Sequence, residues 1–267
     1  MAFVHSDHRF CGGILIKADW VLTAAHCIFG DGPVPQIPPP PGELTEKLVA
    51  RESSQNLLYE LTLSAHSSSY YTAENHYGSR TESNTKVTLG AHSRSHHEAN
   101  TQTIQVIKMI MHEKFSRKTY QNDIQLLKLS RPADLGLHVN FTLLPKTFED
   151  VEDGTVCETA GWGRTENNKP AGVLMETNIT ILDRQKCRKK WKRKYDITDE
   201  MLCTIVGSDK SDVCKGDAGG PLICNGVLRG ITSFGVFPCG LRGDASVFSR
   251  LTEKYLCWIY KVISTWS

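Results

Sequence analysis

Several things are missing from this 267-residue chain, and each absence removes a class of protein. No run approaches the ~18 consecutive apolar residues of a membrane helix, so a membrane-spanning protein is not expected. Neither charge sign dominates: 31 Lys and Arg stand against 29 Asp and Glu, and a net charge of +2 is too small to argue for nucleic acid as a partner. The nine cysteines form none of the tight Cys-X-X-Cys pairs of a zinc module, and no metal or cofactor is expected. Met1-Ala2-Phe3-Val4-His5-Ser6-Asp7 has no basic segment followed by an apolar one, so no signal peptide is visible in the chain as given.

What is present describes a globular protein. With 40% hydrophobic and 22% charged residues, the chain is long enough for one large or two small cores. Nine cysteines spread from Cys11 to Cys257 read most simply as extracytoplasmic disulfides with one thiol left over, so cysteines and N-terminus point to different compartments.

Short apolar, β-branched runs between turn signals predict strands. They are Phe10 to Ile16, Trp20 to Cys27, Lys86 to Gly90, Thr103 to Ile110, Asp123 to Leu129, Val156 to Ala160, Leu174 to Leu182, Pro221 to Cys224, Val227 to Phe234 and Ser246 to Phe248. So many short strands indicate an all-β sandwich or barrel. Only the end has helical spacing: Leu256, Ile259, Val262 and Ile263 recur three or four apart behind a candidate cap at Thr252.

Residues 28–83 break this pattern. A proline-dense stretch, Pro33 to Pro41, gives way to a Ser/Tyr/Asn-rich tract, with Leu57 to Leu63 as the one candidate element inside. Proline at that density favours polyproline II and cannot join a sheet interior. The segment is expected to be a disordered surface insertion rather than a proline-rich docking peptide.

Three motifs carry chemistry. Thr23-Ala24-Ala25-His26-Cys27 presents a histidine, Asn122-Asp123-Ile124 an aspartate, and Cys214-Lys215-Gly216-Asp217-Ala218-Gly219-Gly220-Pro221 a glycine-rich turn. Such a turn normally presents a nucleophile at the position of Ala218, backed by two backbone N–H groups aimed at an oxyanion. With Leu89 to Ser93, Ala160 to Thr165 and Asn178 to Asp183, these motifs resemble the trypsin/chymotrypsin family of serine proteases, and within it the granzyme A-type members. The resemblance covers all of the chain except about 28–83, and the order His, Asp, nucleophile position is the family's own.

The resemblance implies one trypsin-like domain over 1–267: two six-stranded antiparallel β-barrels with the active site between them, plus a C-terminal α-helix. It implies the pairings Cys11 with Cys27, Cys157 with Cys224, Cys187 with Cys203 and Cys214 with Cys239, leaving Cys257 outside. It gives His26 the role of general base and Asp123 that of its orienting carboxylate. Gly216 and Ala218 supply the oxyanion-hole N–H groups. Asp212 lies at the base of a pocket for Arg or Lys, with Ser233, Gly235 and Ser246 lining it. The family usually has glycine where Ser246 stands, and its side chain is expected to narrow the slot.

Because Ala218 has no hydroxyl to attack with, the expected function is a granzyme-like endopeptidase homologue that is catalytically inactive. The alternatives are an active Arg/Lys-cleaving protease in a serine form, or a pseudoprotease that binds without cutting. Met1 falls where the family is already within its first strand, so Asp217 is expected to lack the terminal amine it pairs with in active relatives. Losing one member of a buried ion pair costs about 3–5 kcal/mol. Asp217 is accordingly expected to be rearranged, protonated or exposed to solvent.

Peptide or protein ligands bearing Arg or Lys are the implied partners, and secretion or a secretory granule the implied location. The run Arg188-Lys189-Lys190-Trp191-Lys192-Arg193-Lys194 suggests a further contact with sulfated proteoglycan, although a solvated face explains it as simply. Asn140-Phe141-Thr142 and Asn178-Ile179-Thr180 are glycosylation sequons, meaningful if the chain enters the secretory pathway.

Overall fold

The computed structural model describes residues 1–6, 9–27, 48–51, 58–61, 84–94 and 98–266. In chain order the elements are β1 (Ala2–His5), β2 (Phe10–Lys17), β3 (Trp20–Thr23), β4 (Leu48–Arg51), β5 (Leu58–Leu61), β6 (Lys86–Leu89), β7 (Gln102–Met111) and β8 (Gln125–Leu129). There follow β9 (Val156–Gly161), β10 (Met175–Leu182), α1 (Arg184–Trp191), β11 (Met201–Ile205), β12 (Pro221–Cys224), β13 (Val227–Phe234), β14 (Ala245–Arg250) and α2 (Glu253–Thr265). Two closed antiparallel barrels result, ordered β1-β2-β3-β8-β7-β6 and β10-β11-β14-β13-β12-β9. Closure removes the unpaired sheet edges that short strands otherwise leave.

Strands β3 and β8 form the floor of the first barrel, with Val21 opposite Leu127 and Leu22 opposite Leu126, all four buried. Between them these two strands lead directly out of Asp123 and into His26, so their register sets the distance between the two residues. In the second barrel, β12 and β13 pair across a bulge between Leu222 and Ile223, immediately after the glycine-rich turn. The first barrel's core continues into α2, whose Leu256, Ile259, Val262 and Ile263 are buried as the spacing predicts. The N-cap residue Thr252 makes no side-chain capping bond, and its buried hydroxyl has no partner among the described residues.

Four disulfides join Cys11–Cys27, Cys157–Cys224, Cys187–Cys203 and Cys214–Cys239, and Cys257 takes part in none of them. They hold the molecule at the ends of strands: Cys157 and Cys224 face each other across the β9–β12 pair.

Three elements of the barrels escape the sequence patterns. The strand β11 is buried along Met201 to Thr204, so it shows no alternation to read. Only Cys187 and Trp191 are buried in α1, too few apolar positions to reveal a helical period inside a basic run. Its start is marked by Asp183, whose side chain accepts from the N–H of Lys186 at 2.9 Å. The four residues of β1 alternate buried and half-buried, a signal too short to separate from a loop. Within 28–83 the described residues are β4 and β5, a two-stranded antiparallel pair with Leu48 opposite Leu61. The rest of that segment, including the proline-dense stretch, lies outside the described residues. Among the described residues no helix is long and apolar enough to cross a membrane.

Candidate active site

His26 follows β3 and Asp123 precedes β8, and the two meet where those strands leave the first barrel. The His26 Nδ1 lies 2.7 Å from Asp123 Oδ2, and the His26 backbone N–H donates to Oδ1 at 2.8 Å. Asp123 is completely buried, while the His26 side chain remains 24% exposed. A carboxylate held against one ring nitrogen fixes the tautomer, leaving Nε2 as the nitrogen free to take a proton. Asn122, just before Asp123, has a left-handed φ of 54°, a conformation asparagine tolerates better than most residues.

The second barrel completes this shell. Ser233, expected in the pocket wall, sends its hydroxyl to Asp123 Oδ2, and Ser249 donates to the Asp123 carbonyl at 2.9 Å. The sequence patterns did not assign either contact. A serine inside a strand gives no sign of which distant carboxylate it reaches, because the two come from different barrels.

The turn from Cys214 to Pro221 commits three of its N–H groups to bonds along its own backbone and to the neighbouring strand β13. Asp217 donates to Cys214 O at 3.0 Å, Gly219 to Thr232 O at 2.8 Å and Gly220 to Asp217 O at 2.8 Å. The N–H groups of Gly216 and Ala218 are not consumed in this way among the described residues. The Ala218 carbonyl accepts from Gly12 N–H at 2.8 Å, tying the turn to β2 of the other barrel. Two glycines make this close approach possible. A Cβ on Gly219 (φ 83°) would lie 2.1 Å from Thr23 Oγ1, and one on Gly216 (φ 107°) 2.4 Å from the Phe10 ring. Small residues thus let the backbone of the turn press against the first barrel at Phe10, Gly12 and Thr23.

Of the three expectations for Asp217, a rearranged, protonated or solvent-exposed carboxylate, its surroundings favour the protonated one. It lies against Gly161 and Gly163, where any Cβ would collide with it, and accepts from Gly163 N–H at 2.8 Å and Cys214 N–H at 2.9 Å. Burial pushes its carboxyl up, toward the protonated form, and the two backbone bonds only partly oppose this.

Asp212 and Ser246, expected in the pocket, meet through a hydrogen bond. Asp212 accepts from Val213 N–H at 2.9 Å and Gly240 N–H at 3.0 Å, and from Ser246 Oγ at 2.7 Å. Burial raises the Asp212 carboxyl, and the Ser246, Gly240 and Val213 bonds act in the lowering direction. No cationic side chain among the described residues pairs with it. Ser246 Oγ also stands 2.7 Å from where a Cβ on Gly235 would be, so it occupies the space that a bare glycine opens.

An aromatic wall borders His26. Tyr120 meets the His26 ring edge-on at 5.5 Å and packs on Phe234 at 5.1 Å, and Tyr195 continues the wall at 4.8 Å from Phe234. Beyond it lies the basic run of α1. Arg188 is bonded to Ile197 O and Asp199, and Lys190 to Gly243 O. Lys194 sits over the Trp191 and Tyr195 rings, and Lys189, Lys192 and Arg193 are exposed.

Known proteins share this arrangement. The family model for trypsin matches residues 1–57 and 65–259. Granzyme A of Bos taurus is 32% identical over 260 residues, covering 96% of this chain and 80% of that protein. Duodenase-1 of Bos taurus is 30% identical, covering 96% and 78%, and trypsin I-P1 of Gallus gallus 29%, covering 98% and 83%. A solved structure of neuropsin, described as a serine protease expressed in the limbic system of mouse brain, superposes with a TM-score of 0.70 at 27% identity, covering 98% of this chain and 93% of that one. With the double barrel and the His26–Asp123 pair in place, the chain belongs to the trypsin family.

Proposed function

We propose that the chain is a granzyme-like serine endopeptidase homologue that keeps the recognition machinery for Arg or Lys and has lost the nucleophile. Ala218 carries this reading: it occupies the residue that the turn presents beside the His26–Asp123 pair. A methyl group can neither give a proton to His26 nor attack a carbonyl carbon. In subtilisin, an unrelated fold with the same triad, removing the serine costs about 2 × 10⁶ in kcat and leaves roughly 10³–10⁴ over water. The Gly216 and Ala218 N–H groups still provide an oxyanion-binding pair, since their donors belong to the backbone.

The enclosed Asp212, raised by burial and held by neutral donors, supports recognition of a basic side chain. An external guanidinium or ammonium offers that carboxylate the charge the fold does not. Function is then capture of basic peptides or proteins without cleavage by one domain over 1–267, with 28–83 as an insertion beside His26. An active protease is the second reading, favoured by the retained His26–Asp123 geometry, and requires a serine at 218. By kinship with granzyme A, the protein is assigned to secretion or a granule. The exposed Lys189, Lys192, Arg193 and Lys194 then offer a sulfated proteoglycan a contact, together with Arg188 and Lys190.

Hydrolysis of an Arg or Lys amide substrate tests the main reading. The chain as it stands is expected to show no turnover beyond the residual level, whereas Ala218→Ser made with an Ile-Gly-Gly start gains it. Substantial turnover with Ala218 in place overturns the inactive reading.

A further inference from the structure

We propose that Asn140 is a site of N-glycosylation, and that its glycan covers an apolar stretch on the segment linking the two barrels. The segment between β8 and β9 is firmly held. Ala133 N–H donates to Ala18 O at 2.7 Å, and Asp134 and Gln102 exchange two bonds of 2.8 Å. Val139 is buried, Thr142 N–H reaches Leu15 O at 2.8 Å, and Leu144 packs on the core. Between these anchors the chain turns its large apolar side chains outward. Leu137 is fully exposed, Leu143 70% exposed, Leu135 46% and Phe141 39%. A single exposed apolar side chain needs no explanation, but four within nine residues of one ordered segment do.

The sequon stands in the middle of that stretch. Asn140 is exposed, and its Oδ1 accepts from Phe141 N–H at 2.9 Å, which leaves Nδ2 unengaged among the described residues. Thr142 supplies the hydroxyl two residues on, Phe141 is not proline, and the sequence lies on a surface loop as such acceptors do. The second sequon differs: Asn178 lies within β10, paired to Glu158 of β9. Four disulfides place the folded chain in an oxidising compartment, on the route where glycans are attached. In the modification, Asn140 Nδ2 forms a bond to the anomeric carbon of a lipid-pyrophosphate-linked oligosaccharide. The bond from that carbon to the pyrophosphate breaks, and the lipid pyrophosphate and the amide proton leave.

The test directs the full chain into the secretory pathway of a mammalian cell behind a cleavable signal. Peptide mapping of medium and membrane fractions, after glycan release by a peptide-N-glycosidase, is expected to find aspartate at position 140. Asn140→Gln and Thr142→Ala should each lose one gel shift, and Thr142→Ser should keep it. An unmodified Asn140 in disulfide-bonded chain from either fraction overturns the site. For the covering role, glycan-stripped protein should bind more of an apolar fluorescent dye than intact protein, and Leu137→Ser with Leu143→Ser should abolish the difference. Equal dye binding before and after stripping overturns that role while leaving the modification standing.

Discussion

Asp123 and Asp212 are two carboxylates each held by several donors, and their surroundings are finished differently. Asp123 accepts from the His26 backbone, the His26 ring and Ser233, so its shell ends in a partly exposed imidazole. Asp212 accepts from two backbone N–H groups and Ser246, and its shell ends in a hydroxyl. Desolvation of a charge is offset only where a partner of opposite sign or enough donors reach it. The carboxylate of Asp123 orients a group of the chain itself, whereas that of Asp212 is held by neutral donors, with no cationic side chain among the described residues paired to it. Neither arrangement involves the side chain of Ala218, so both are independent of which residue stands there.

The largest effect separates chemistry from recognition. Turnover of an Arg amide by Ala218→Ser, made with an Ile-Gly-Gly start, should exceed that of the parent by up to about 10⁶, the scale of serine removal in subtilisin. On the parent background His26→Ala should leave residual hydrolysis unchanged; a marked fall would show that His26 still performs catalysis without the serine. Next in size is stability. Asp123→Ala strands the His26 N–H and the Ser233 hydroxyl in a buried setting, and unsatisfied buried groups cost about 1–3 kcal/mol each. A loss of roughly 3–5 kcal/mol in urea unfolding is therefore expected, and a loss below about 1 kcal/mol would mean that the shell around Asp123 closes without it.

How much of this was legible in the sequence follows the same division. His26 and Asp123 were readable because each sits in a local motif at the end of an apolar strand, and the strand register β3–β8 does the rest. The strand pattern alone indicated a sandwich or barrel, and the double barrel and its four disulfide pairings followed only from the family resemblance that those motifs carry. Ser233 and Ser249 were not readable as supports of Asp123, because each is joined to it by folding alone, 110 and 126 residues away. Helix α1 was hidden because its buried positions are only Cys187 and Trp191. The packing of Asp217 against Gly161 and Gly163 was not readable for a different reason: these small neighbours, which make room for it, carry no charge to announce the contact.

Binding of a benzamidine-like cation, followed by calorimetry, probes the other carboxylate. Asp212→Asn should abolish it. Ser246→Gly should tighten it by about tenfold, or ~1.4 kcal/mol, because the hydroxyl both occupies the slot beside Gly235 and holds Oδ1. Unchanged affinity in Ser246→Gly would show that Ser246 does not restrict the pocket. The cation binds the ionised carboxylate, and burial raises the proton affinity of that group, so acidification should weaken binding. The weakening should begin above the ordinary aspartate range; an onset confined to that range would place the carboxylate in contact with water.

The smallest effect tests the comparison most directly. Asp212→Asn keeps a carbonyl oxygen to accept from a backbone N–H and removes a charge whose desolvation no cation offsets. It gives up the charge-assisted part of the Ser246 bond and turns its NH2 toward one of the two backbone donors, Val213 on Oδ1 or Gly240 on Oδ2, a loss of about 1–3 kcal/mol in all. The gain and the loss are of similar size, so stability at neutral pH should change by less than about 1 kcal/mol, against the several lost in Asp123→Ala. The sign with pH follows from the raised pKa. Ionised Asp212 disfavours the native state, so the parent should lose stability relative to Asp212→Asn as pH rises from the unfolded-state value through the higher native one, and hold that difference above it. A relative gain over the same interval would mean that the neutral donors alone compensate the carboxylate, and the two aspartates would then be equivalent.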